Sequence, residues 1–218
     1  MEALIPRIQF EIRYTHILNF STIIKEIISP FIKLGDNFNI SNQGSLIEGI
    51  KINFEKEKFS IECLWDRMIL ITQEDIDQLG DQNATIKVFF DIYNKLKEYP
   101  SFGEIRNYLL VLTVIYLNNE KSEENLKNLK SKYLTEENKD VMDDISDFAI
   151  TLENQKTDEL NSVIFGPYTA NDIEKRKLIP FKSENLLQLY KKSGSMKEIK
   201  YFKEKKDIDQ INLKKIIN

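Results

Sequence analysis

The chain has 218 residues, of which 41% are hydrophobic and 30% charged, with a formal net charge of −4. That length supports one large domain or two small ones with a self-sufficient core, and the balance excludes whole-chain disorder. The single cysteine, Cys63, excludes an internal disulfide, and no apolar run approaches the roughly 20 residues that span a bilayer.

The charge is unevenly spread. Residues 172–218 hold 13 Lys or Arg against 7 Asp or Glu, a net of +6, while the rest hold 18 against 28, a net of −10. Such a segment either meets nucleic acid or forms a solvated basic face over an acidic body. The modest excess favours the solvated face. The N-terminal residues alternate, without a basic start or a continuous apolar core, so no signal peptide is expected and the expected compartment is cytoplasmic.

Ile8, Phe10, Ile12 and Tyr14 alternate with Gln9, Glu11, Arg13 and Thr15, which predicts a strand with one buried face. Phe20, Ile23, Ile24, Ile27, Ile28 and Phe31 then form one apolar helical stripe. Asn19 is the expected cap, Gly35 the expected stop, and Pro30 predicts a kink or break. Residues 36–46 are polar and read as a loop.

Two alternating strands follow, Ile50, Ile52, Phe54 and then Phe59, Ile61, Cys63, Trp65, joined by a charged turn at 55–58. Asp66-Arg67 precedes Met68 and marks either a bulge in a long strand or a second tight turn. Residues 73–82 read as an acidic loop. A second helix is expected from about Asn83 to Tyr99, with Ile86, Phe89, Phe90, Tyr93 and Leu96 on its stripe.

The run from Leu109 to Leu117, rich in β-branched residues, predicts a strand buried on both faces. A third helix is expected from Ser122 to Leu134, with Leu126, Leu129 and Tyr133 on one side and Glu123 and Glu124 favoured in its first turn. Next comes a strand pair, 148–152 and 160–165, ended by Gly166-Pro167. The remainder reads as helical and basic, with Leu186, Leu187 and Tyr190 on a short stripe and a terminal helix around Ile208 and Ile211. The order strand, helix, two strands, helix, strand predicts an α+β fold. Its expected form is a ferredoxin-like βαββαβ antiparallel sheet over 1–120 with helices on one face, plus an α+β extension over 121–218. Two α+β halves packed together fit the pattern equally.

His16 is the only histidine, so zinc sites built on several Cys and His, HExxH and CxxC are excluded. At a strand-to-helix junction it fits a surface or packing role better than a general base. Cys63 lies on the apolar phase of a strand and reads as core. The GxxxxGK[ST], GxGxxG and GxSxG patterns are absent. Asp75, Asp77 and Gly80 imitate an EF-hand start, but Leu79 and Ile86 stand where oxygen ligands are needed. Asp140, Asp143, Asp144 and Asp147 read as a solvated acidic turn. Phe10, Phe54, Phe59 and Trp65 would stack bases only on an open sheet face, and the RNP pattern is missing, so they read as core. No catalytic residue, metal or cofactor is expected.

Residues 8–14, with Tyr116-Leu117-Asn118 at a later strand end, resemble a sporadically distributed bacterial family of uncharacterised proteins. Its members open with a Phe-Glu-hydrophobic-Arg strand and carry a second strand ending hydrophobic-Tyr-hydrophobic-Asn. The likeness spans roughly residues 5–120, and Arg106 is the candidate for the family's Arg ahead of the second strand. The resemblance implies the scattered distribution of mobile or defence genes, and no established activity.

The expected function is therefore non-enzymatic: a protein-interaction or regulatory protein, a partner subunit or inhibitor in a bacterial mobile-element or phage-defence system, with a protein partner or a second copy. The alternative is nucleic-acid binding through Lys175, Arg176, Lys177, Lys191, Lys192, Lys203, Lys205 and Lys206. A second alternative is a small-ligand or nucleotide sensor, for which a cleft lined by Arg13, Arg67 or Arg106 would speak.

Overall fold

A computed structural model describes residues 2–73, 84–118, 122–133 and 147–204. Its fold is α+β. Nine described strands form one sheet: β1 (Glu2–Tyr14), β2 (Asn37–Ser41), β3 (Gly49–Phe54), β4 (Phe59–Cys63), β5 (Arg67–Thr72), β6 (Ile105–Leu117), β7 (Ile150–Gln155), β8 (Glu159–Tyr168) and β9 (Gly194–Glu204). Their order is β2-β3-β4-β5-β1-β6-β9-β8-β7. The helices are α1 (Phe20–Ile32), α2 (Ala84–Lys97), α3 (Ser122–Tyr133) and α4 (Asn171–Arg176), with a 3-10 helix at Glu184–Tyr190. No described helix is long and apolar enough to cross a membrane.

The chain divides into two compact units. One draws on Ile8–Val111, Gln155–Leu160 and Tyr201–Asn218, the other on Met1–Arg7, Leu112–Asn154 and Asn161–Lys200. In the first unit, the expected alternation of β1 buries Ile8, Phe10, Ile12 and Tyr14. Phe10 meets Phe89 of α2 edge-on at 5.8 Å, and α1 packs against α2 and β3. Phe10, Phe54 and Phe59 are buried in the core, but Trp65, expected there too, is half-buried in the turn after β4.

The α1 stripe is buried residue for residue, but two terminal expectations are corrected. Asn19 makes no side-chain capping bond, and Pro30 stands inside the helix without breaking it. Pro30 lies in the last turn on the exposed side, where a single backbone bond is lost and the ring meets solvent. The 66–67 ambiguity resolves as a tight turn. Leu64 N–H donates to the Arg67 carbonyl at 2.8 Å, and Cys63 pairs with Met68. Residues 36–46 are not all loop, because Asn37–Ser41 is a strand at the end of the sheet.

β6 lies between β1 and β9. Double-faced burial holds for four consecutive residues from Leu112 to Ile115, whereas Leu109, Val111 and Tyr116 are only half-buried. In the second unit, Ile115 and Leu117 join a core with Tyr168, Ile173, Leu178, Leu186, Leu189 and Met196. The Tyr168 hydroxyl donates to the Leu189 carbonyl at 2.8 Å.

Further corrections fall in this unit. β8 runs through Gly166-Pro167 to Tyr168. The stripe expected on Leu186, Leu187 and Tyr190 is a 3-10 helix that buries Leu186 and Leu189 and exposes Leu187 and Tyr190, because the tighter turn pairs i with i+3. Residues 194–204, expected to be helical, form β9. On α3 the buried residue is Asn125, with Tyr133 exposed. The acidic loop at 74–82, the Asp140, Asp143 and Asp144 turn and the terminal helix lie outside the described residues.

Candidate functional site

The surface that stands out chemically is the outer edge of β2, which no strand pairs among the described residues. It is built from both ends. After α1, Leu34 N–H closes on the Phe31 carbonyl at 3.0 Å, and Gly35 passes so near β3 that a Cβ there would overlap Ile52. Asp36 N–H donates to the Asn53 carbonyl at 2.9 Å, while its Oδ2 accepts the Glu55 N–H at 2.7 Å. The acid is thereby turned back onto its own hairpin. Asn53 Nδ2 donates to Asn37 Oδ1 at 2.6 Å, and Asn37 Nδ2 donates to Glu55 Oε1 at 2.8 Å.

The far end of β2 is held by a buried carboxylate. In the 42–48 loop, Ser45 N–H donates to the Asn42 carbonyl at 3.1 Å and Glu48 N–H to the Ser45 carbonyl at 3.2 Å. Glu48 has no exposed surface. Its Oε2 accepts the Gly44 N–H at 2.5 Å, and its Oε1 lies 3.0 Å from Lys25 Nζ on α1. The Gly44 bond, aided by Lys25, holds this carboxyl below its usual range against the opposing pull of burial.

Between these anchors the register pairs Phe38 with Ile52 and Ile40 with Ile50. Opposite residues in an antiparallel pair share a face, so Phe38 and Ile40 continue the core face beyond β3. Among the described residues that face is only partly covered there, and Ile40 is half-buried. Phe38 is 50% exposed, and Leu34, Leu46 and Ile47 at the two ends are 61%, 64% and 50% exposed. From Asn37 to Ile47 no residue is charged.

Of the sequence-predicted residues, the structure brings Arg13 and Arg67 together as opposite partners on β1 and β5. Both guanidiniums are engaged. Arg13 Nε donates to Glu11 Oε2 at 2.8 Å, and Arg67 chelates Asp66 at 3.1 and 2.7 Å with its Nη1 3.8 Å from Glu11. Burial opposes ionisation of Asp66, but the Arg67 chelate outweighs it and holds the carboxyl below its usual range. Gln9 Nε2 donates to the buried Glu11 at 2.5 Å. Arg106 is exposed on β6. His16, also exposed, packs at a tilt of 31° against Trp65 with ring centroids 4.1 Å apart.

Lys175 and Arg176 on α4 and Lys177 just after it are exposed, with Arg176 Nε 3.4 Å from Asp172 Oδ1. Lys191 is exposed and Lys192 half-buried. Lys203 pairs with Glu159, which also accepts the Tyr201 hydroxyl at 3.0 Å. Burial, with that bond, pushes Tyr201 up to about 12. Lys205 and Lys206 lie outside the described residues. Among the described residues no three His, Cys, Asp or Glu side chains converge on one point.

Glu48, Asn125 and the β2 edge were missed by sequence reasoning. For β2 a signal existed: Phe38 and Ile40 alternate with Asn37, Asn39 and Ser41. No family model, no curated protein and no solved structure matches the chain.

Proposed function

We propose that this is a non-enzymatic protein-interaction protein that engages its partner through the β2 edge. One observation carries the reading: among the described residues β2 is an end strand of the sheet with no strand on its outer side, anchored at both ends, and it presents apolar side chains without a single charge. Natural edges are ordinarily blunted by Lys, Pro or inward charges. An edge left bare invites an added strand, in which backbone bonds give affinity and alternate side chains give selectivity. The resemblance of residues 8–14 and 116–118 to a scattered bacterial family suggests a setting, a partner subunit or inhibitor in a mobile-element or phage-defence system. The β6-β1-β5-β4 order with α1 and α2 supports an elaborated split β-α-β arrangement of the ferredoxin-like kind, to which β2 and β3 are additions.

The test is quantitative capture from extracts of the source cells with wild type, Phe38→Lys and Leu152→Lys, the last changing an exposed residue on β7. Binding that Phe38→Lys removes and Leu152→Lys keeps supports edge docking. Capture that ignores Phe38→Lys ends it. Phosphate-driven binding is the second reading, favoured by the three adjacent exposed cations Lys175, Arg176 and Lys177. It requires affinity for DNA or RNA that falls steeply with salt.

A further inference from the structure

We infer that the partner fitting this edge is a second copy of the same chain, its β2 antiparallel to the first about a two-fold axis at Asn39. The inference rests on the edge reading above and adds the occupant.

Charge is the first argument. In a two-fold strand pair every residue meets its own neighbourhood, so any charge on the edge brings a like charge close to it. Residues 37–47 contain none. The nearest acid, Asp36, is already bound to the Glu55 and Lys56 N–H groups at 2.7 and 3.4 Å. In the proposed register it faces the neutral Asn42 of the other copy.

Pattern is the second. A two-fold axis at Asn39 sets Asn37 opposite Ser41 and Phe38 opposite Ile40, each twice. All four apolar side chains then lie on the face that carries the buried Ile50 and Ile52. The two core faces become continuous across the axis, and the polar phase of Asn37, Asn39 and Ser41 meets its own kind. An axis between residues 38 and 39 or 39 and 40 would set Phe38 against Asn39 or Ser41 and break the phase. An axis at Ile40 would set Phe38 opposite Asn42. The register at Asn39 is the one that uses both apolar residues of the strand.

Preorganisation is the third. The anchors at Asp36 and Glu48 fix both ends of the strand before it pairs, which lowers the ordering cost of association. Five residues make a small interface, so the dimer belongs to the weak class and forms at high protein concentration.

Sedimentation of the purified full chain over a concentration series is the test, with Phe38→Lys and Leu152→Lys beside the wild type. Self-pairing predicts a concentration-dependent rise from monomer to dimer mass, lost in Phe38→Lys and kept in Leu152→Lys. Circular dichroism melts confirm that the variants fold. An Asn39→Cys variant adds a geometric readout. Its two thiols would face each other with Cα atoms about 4.5–5.5 Å apart, within disulfide reach. Mild oxidation then yields a covalent dimer from native protein but not from protein in urea. Native wild type, whose only cysteine is the buried Cys63, stays uncrosslinked. Monomer at every concentration without crosslinking overturns self-pairing, and so does a dimer that Phe38→Lys leaves intact. If the chain is monomeric while extract capture still depends on Phe38, only the second-copy assignment falls. If neither depends on Phe38, the edge reading falls with it.

Discussion

Replacing Glu48 by Gln asks whether charge holds the far end of β2. The native carboxylate is fully buried, accepts the Gly44 N–H at 2.5 Å and lies 3.0 Å from Lys25 Nζ. Glutamine keeps the shape and one acceptor oxygen, but it drops the Gly44 bond from charge-assisted to neutral strength and turns the Lys25 ion pair into a weaker ion–dipole contact. The expected loss is about 1–3 kcal/mol near neutral pH. Most of it belongs to the Gly44 bond, because Lys25 is half exposed and its attraction is screened. The pH dependence fixes the sign. The folded-state pKa is depressed, so the stabilisation is complete above the unfolded value of about 4.3 and is lost as pH falls through the folded value. Urea denaturation followed by circular dichroism at several pH values reads this directly. The gap between wild type and Glu48→Gln should be widest near neutrality and close in acid. No gap at neutral pH, or one that persists undiminished in acid, refutes the reasoning.

Four further outcomes follow from the packing. A Cβ at Gly194 would overlap the Tyr116 carbonyl oxygen and lie 3.1 Å from Leu117 Cα, so Gly194→Ala must displace backbone; a loss of about 1–3 kcal/mol or more in urea melts is expected, and an unchanged midpoint would contradict it. Val114→Asp puts a charge on a buried position of β6 and should give insoluble or unfolded protein. Lys51→Asp on half-exposed β3 should shift stability by less than about 1 kcal/mol; a soluble, normally melting Val114→Asp protein would refute the assigned burial. Cys63 is fully buried and burial pushes its thiol up, so Ellman's reagent should label it only after denaturation.

Elements that bury one clear face were legible in the residues. The α1 stripe, the alternation of β1 and the hairpin of β3 and β4 each carry strong contrast between phases, because water lies on one side and core on the other. β2 and β9 lack that contrast. At the sheet's end, Phe38 and Ile40 keep part of their surface in solvent, and Asn37, Asn39 and Ser41 dilute the signal. On β9 only Gly194 and Met196 are buried, and the Lys and Glu that follow suit a helix as well as a half-exposed strand. Arg13 and Arg67 were picked by residue type, but their neutralisation by Glu11 and Asp66 depends on the β1–β5 register. Glu48 shows the same limit, since its burial is decided by Lys25 and by the fold of the 42–48 loop. Asn118 gains a physical role only in three dimensions. Its Nδ2 donates to Asn125 Oδ1 at 2.6 Å, and Asn125 Nδ2 donates to the Gly194 carbonyl at 2.6 Å, tying the end of β6 to α3 and to the start of β9.

Backbone amide exchange across Asn37–Ser41 probes edge docking most directly, because an added strand must bond the outward N–H groups of β2. The measurement compares dilute protein with concentrated protein, and with the complex recovered from source-cell extracts. Edge docking predicts slowed exchange of the outward β2 amides in at least one assembled state, with the β7 amides unchanged. β2 amides that exchange equally fast in the isolated and assembled protein would contradict it.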